Sequence, residues 1–151
     1  MVSRGYRVLR AGAMRLLLLL LVSLGMPAPA QDCDVHGLAE IRMYHWMYKL
    51  ALKDWKIELQ VVDAETLPRG EMGHTRMVVA AKVATISIPD RSAYGLPCGF
   101  RLDLAEAGVL HELVHIRLAP AFEGDRTERS KQAEENAVVA LTMTLIDEVR
   151  R

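Results

Sequence analysis

Apolar and polar positions change period twice along this chain. In residues 36–55, Leu38, Ile41, His45, Tyr48, Leu52 and Trp55 recur three or four apart, with Lys49, Lys53 and Lys56 off the stripe. That spacing predicts a helix whose stripe faces a core. His45 lies on the stripe and reads as a core histidine rather than a ligand. The period then drops to two: Ile57, Leu59 and Val61 alternate with Glu58 and Gln60, predicting a half-buried strand. Pro68, Gly70 and Gly73 mark a turn region. Residues 77–81 and 83–88 are rich in β-branched side chains and predict two more strands, broken near Lys82. Thr85, Ser87 and Pro89 predict that the last strand lies at a sheet edge.

Residues 90–100 read as loop, and helical spacing returns after them. Asp103 and Glu106 have capping-box spacing. Val109, Leu110, Leu113, Val114, Ile116 and Leu118 continue an apolar helix that Pro120 is expected to stop. After a polar stretch at 123–131, a last helix is predicted from about Ser130 to Val149, with Ala133, Ala137, Val138, Leu141, Leu145 and Val149 inward. Helix, sheet, helix, helix is an α+β order. No internal repeat or interdomain linker is visible.

The first thirty residues differ from the rest. Arg4, Arg7, Arg10 and Arg15 are the only charges before Asp32. An apolar run from Leu16 to Leu24 follows, then Ala28-Pro29-Ala30. This reads as a secretory signal peptide at 1–30, cleaved after Ala30, with 31–151 as a single domain. The alternative is a membrane anchor, but a bilayer needs roughly 20 apolar residues. The leader also changes the charge. Nineteen basic residues balance nineteen acidic ones over the whole chain, but fifteen face nineteen after residue 30. A mildly acidic exported domain gives no electrostatic case for nucleic acid or anionic lipid. With 51% apolar and 25% charged residues, wholesale disorder is excluded too.

Export also changes the reading of the two cysteines. Cys33 and Cys98 are an even pair, and an oxidising compartment favours one disulfide between them. The alternative is thiolate ligation of zinc, for which neither has a C-x-x-C partner.

The candidate chemistry sits on the second predicted helix. Residues 111–115 are His-Glu-Leu-Val-His. Four residues advance a helix by about 400°, so His111 and His115 project ~40° apart on one face. Two imidazoles so placed can hold one metal ion. Glu112 lies about 100° from His111. It can reach a metal-activated water and act as general base without itself being a ligand. Burying two imidazoles and a carboxylate on an apolar helix is costly unless they are partnered. A catalytic zinc wants three protein ligands and an open position. No histidine follows residue 115, so the third ligand must be an acid downstream or a residue upstream. Leu118 and Ala121 stand where the metzincin extension needs glycine and histidine, which excludes that clan.

Eighteen residues separate His115 from Glu134, and Glu134-Glu135-Asn136-Ala137 follows. With the His-Glu-x-x-His motif, this pattern resembles the gluzincin zinc metallopeptidases in a small, minimal form. The resemblance covers about residues 84–149. It implies a zincin-like α+β fold: an N-terminal helix, a small and mostly antiparallel three-stranded sheet, the motif helix, and a C-terminal helix carrying the third ligand. It implies an edge strand at 84–88 that pairs with substrate backbone. It further implies one Zn²⁺ held by His111, His115 and Glu134, with Glu135 as the alternative third ligand and Glu112 as general base. Val138 stands where thermolysin-like members carry an orienting aspartate. Tyr94 and His74 remain as candidates for stabilising the oxyanion.

These features predict an exported zinc metallopeptidase, periplasmic or extracellular, acting on peptides or proteins. About 121 residues leave room for one core and no second cleft wall, so a protein partner would complete the cleft. Two other readings stand beside it: a zinc-binding exported module without hydrolysis, and a structural domain whose His111, Glu112 and His115 form a metal-free polar network.

Overall fold

A computed structural model describes residues 33–68, 70–122, 124 and 127–151. The leader expected at 1–30 lies outside the described residues. Three helices and a three-stranded sheet follow in the order α1 (Val35–Lys49), β1 (Lys56–Asp63), β2 (His74–Val78), β3 (Val83–Asp90), α2 (Cys98–Phe122) and α3 (Glu128–Val149). The α+β expectation holds in this coarse form.

Helix α1 opens at Asp34, whose carboxylate accepts from the Gly37 N–H at 2.9 Å. Its buried face is Ala39, Met43, Trp46 and Met47. Of the stripe expected there, Leu38, Ile41, His45 and Tyr48 are exposed; the helix ends at Lys49, and Leu52 and Trp55 are buried beyond its end. Both stripes have helical spacing, and packing decides between them. Trp46 anchors the true face, because its indole N–H donates to Glu106 of α2 at 2.9 Å.

The sheet order is β1-β3-β2. Strand β3 pairs parallel with β1 over eight positions and antiparallel with β2 over five. Two expectations are therefore corrected. The sheet is mixed, not mostly antiparallel, and the strand at 83–90 is central, not an edge. Its Ala84, Ile86 and Ile88 are buried, so its apolar alternation outweighs the polar Thr85 and Ser87. Strand β2 takes an edge instead, and begins at His74 rather than Met77. The break near Lys82 is real: Lys82 is left-handed at φ 53° and closes the β2–β3 hairpin.

Helix α2 starts five residues before Asp103, so the expected capping box does not form. The Pro97 carbonyl accepts from the Arg101 N–H at 3.0 Å. Asp103 is exposed and pairs with Arg150 at 3.4 Å. Pro120 lies inside the helix, which runs on to Phe122. Its missing N–H removes the ladder bond to the Ile116 carbonyl, and the helix ends two residues later. Helix α3 begins at Glu128, with the Thr127 hydroxyl accepting from the Ser130 N–H. Of its expected inward residues only Val138 is fully buried; Leu141 and Val149 are exposed.

The core joins Ile86 and Ile88 of β3 to Val109, Leu110, Leu113 and Ile116 of α2, with Met43 and Trp46 from α1 and Val138 from α3. Helix α2 packs against α1, α3 and the sheet, so the motif is held from three directions. No helix among the described residues is long and apolar enough to cross a membrane.

Cys33 and Cys98 form a disulfide with Cα atoms 5.7 Å apart, tying the start of α1 to the first residue of α2. That takes both sulfurs out of the set of metal ligands. It closes a span of 65 residues, so replacing both cysteines by serine should cost about 2–5 kcal/mol. Urea unfolding read by circular dichroism checks this; a loss near zero would mean the crosslink leaves the unfolded chain unconstrained.

Candidate metal centre

His111 and His115 lie one helical turn apart in the middle of α2, and their ring centroids are 5.0 Å apart. Their side chains keep 15% and 20% of their surface, enough to face a cleft while fixed by packing. Helix α3 brings Glu134 and Glu135 alongside in its second turn.

The two glutamates divide the work. One Glu135 oxygen lies 3.3 Å from His111 Nε2, and the other lies 3.3 Å from His115 Nε2. Glu134 approaches from behind, with Oε1 3.0 Å from His115 Nδ1. A carboxylate there accepts, so Nδ1 carries a proton, which leaves Nε2 as the nitrogen available to a metal. That nitrogen faces a Glu135 oxygen. A ring nitrogen and a carboxylate oxygen so placed are held together by a proton or a metal cation between them. Burial pushes the His111 imidazole below the ordinary histidine range, Glu135 pulls it back up, and His115 lowers it. Burial thus favours the neutral, ligating form of His111.

His111, His115 and Glu135 each place one ligand atom within 4.8 Å of the others, so this group could hold a metal ion. Zinc bonds of about 2.0–2.1 Å at tetrahedral angles put neighbouring ligand atoms about 3.4 Å apart. The two nitrogen–oxygen separations of 3.3 Å run to different oxygens of Glu135, so they place its carboxylate between the imidazoles without themselves tracing one tetrahedron.

Glu112 stands outside the ligand group. It is 4% exposed, and its Oε2 accepts from the Thr75 hydroxyl of β2 at 2.7 Å. Burial raises its carboxyl above the usual range; the Thr75 hydrogen bond and the nearby His115 and His74 work against that, while Glu71 adds to it. Two glycines let the segment before β2 lie this close to α2. A Cβ on Gly73 would come within 2.9 Å of Glu112 Cγ, and one on Gly108 within 2.7 Å of the Met72 carbonyl oxygen.

A cleft of about 630 Å³ opens over these groups. Residues 70–75 form one wall and α3 the other, with Val139, Met143 and Ile146 as its apolar part. Both walls belong to the one domain. Of the oxyanion candidates, His74 lines the cleft, 3.7 Å from Glu71. Tyr94 is an exposed residue of the turn after β3 and does not line it.

His111, Glu112, His115, Glu134 and Glu135, all found from sequence, are thus assembled in one place. Thr75, Gly73 and the apolar wall were not anticipated. The period-two spacing of Gly73, Thr75 and Met77 is the one signal in the sequence for the first two, because the strand begins at His74. Comparison with protein-family models, with curated proteins and with solved structures finds no match.

Proposed function

We propose that this protein is an exported zinc-dependent peptidase of zincin-like, minimal gluzincin character, with zinc held by His111, His115 and Glu135. The observation that carries the reading is Glu135 bridging the ε-nitrogens of both motif histidines at 3.3 Å. Glu134 then holds His115 in the ligating tautomer through Nδ1. When bound, zinc supplies Lewis acidity, polarising a peptide carbonyl and bringing the pKa of water to about 7.

The remaining roles belong to the chain. Glu112 takes a proton from the attacking water and returns it to the leaving amine. It lines the same cleft as the ligands without belonging to the ligand group. The walls of the cleft seat an extended chain, and His74, donating from the β2 wall, would stabilise the developing oxyanion. The disulfide is the second support, since it agrees with an oxidising compartment outside the cytoplasm.

Metal analysis of purified residues 31–151 should return one zinc per chain. Incubation with a proteome-derived peptide mixture should create new termini, lost with o-phenanthroline and restored by added zinc. Zinc without new termini would leave a binding module that works through a protein partner. No zinc, and no change in melting temperature with chelator, would leave the metal-free polar network.

A further inference from the structure

We infer that Thr75 is a positioning residue that aims the Glu112 carboxylate, and that Gly73 makes the space for it. The inference rests on the peptidase reading of the site.

Glu112 has no ion-pair partner among the described residues within the usual distance, and it is almost wholly buried. A buried carboxylate needs hydrogen bonds to hold it in one orientation. Among the described residues the one side-chain donor on it is Thr75, at 2.7 Å. This donor comes from a different element, 37 residues earlier in the chain. Its backbone position is set by the register of β2 on β3, where Thr75 stands opposite Ile86.

Gly73 lies just before the strand and two residues from Thr75, and both stand against Glu112 of α2. A Cβ at Gly73 would sit 2.9 Å from Glu112 Cγ, 3.0 Å from Oε1 and 3.2 Å from the Ser87 carbonyl oxygen. The Ser87 oxygen is backbone of the central strand and cannot yield. The carboxylate is therefore bounded by glycine backbone on one side and by a hydroxyl donor on the other. Thr75 fastens Oε2, and with one oxygen fixed the plane of the carboxylate is fixed. A base held in one plane meets its proton donor without a search over rotamers, and its contribution to the rate depends on that geometry.

Thr75→Val keeps the β-branched shape and removes only the donor. A hydrogen bond to a charged group of this kind corresponds to about a 10- to 100-fold fall in kcat. KM and zinc stoichiometry should stay near wild type, while the melting temperature falls because a buried carboxylate oxygen loses its donor. Thr75→Ser keeps the hydroxyl and should restore most of the rate. Gly73→Ala tests the same cradle from the other side and should lower kcat while zinc is retained. The substrate is a quenched fluorescent peptide copied from a sequence the protein cleaves.

A second readout needs no turnover. The visible spectrum of the Co²⁺-substituted protein reports the surroundings of the open coordination position. Thr75→Val should move its bands toward those of Glu112→Gln, and Thr75→Ser should leave them on wild type. If Glu112→Gln loses activity while Thr75→Val keeps wild-type kcat and spectrum, the positioning role is overturned and the peptidase reading stands. If Glu112→Gln leaves turnover unchanged, the peptidase reading fails and the Co²⁺ spectra alone decide the Thr75 contact. Failure to take up Co²⁺ overturns both.

Discussion

Glu112→Gln should bind zinc at wild-type stoichiometry and lose about 10²- to 10⁴-fold in kcat, the usual contribution of a general base. Glutamine has the same shape and keeps an oxygen that accepts from the Thr75 hydroxyl. It also leaves the Glu135 bridge between His111 and His115 untouched. The variant therefore separates proton transfer from metal binding. It separates this site from a structural one as well. In a metal-free network, a doubly protonated His115 between Glu134 and Glu135 would satisfy both carboxylates, and Glu112 would matter only for packing. Turnover on the cleaved peptide, measured beside zinc content, checks the claim. Unchanged turnover with full zinc would end the catalytic reading.

The parts of the site that were legible in sequence are those set by local geometry. His111 and His115 needed only four residues of helix to share a face, and any helix would deliver that. Ligand count asked for a third group, either an acid downstream or a residue upstream. What could not be read was everything that depends on how elements turn about their own axes or order themselves in space. Glu134 and Glu135 are about 100° apart on α3. Their order of approach to the histidines follows from the rotation of that helix, which Val138 and Thr142 set by packing inward. No spacing rule carries that rotation. The same holds for α1, where two stripes compete and a single Trp46–Glu106 hydrogen bond between helices favours one.

Strand order was hidden for a related reason. Thr85, Ser87 and Pro89 make β3 look like an edge, but partners on both sides of β3 come from segments before it in the chain. Thr75 carries no motif. It became visible only when β2 was placed against the face of α2 that holds Glu112. The fold class could be read because it needs only the order of periods along the chain. The sheet arrangement could not, because it depends on pairings between distant segments.

Glu135→Ala and Glu134→Ala should part company in metal affinity, although the residues are neighbours. Zinc sites of four ligands bind with roughly 10–16 kcal/mol, so one ligand is worth about 3–4 kcal/mol, or roughly 100- to 1,000-fold. Removing Glu135 also leaves the two ε-nitrogens with no carboxylate between them. Removing Glu134 acts through His115: the ring loses its Nδ1 acceptor and with it the preference for the ligating tautomer. Orienting partners of that sort typically matter 10- to 100-fold. Competition against a fluorescent zinc chelator measures both constants. The expected order is Glu135→Ala weakest, Glu134→Ala intermediate, wild type tightest. The reverse order would make Glu134 the ligand and would require α3 to turn when metal binds. Equal losses would mean that both carboxylates reach the ion.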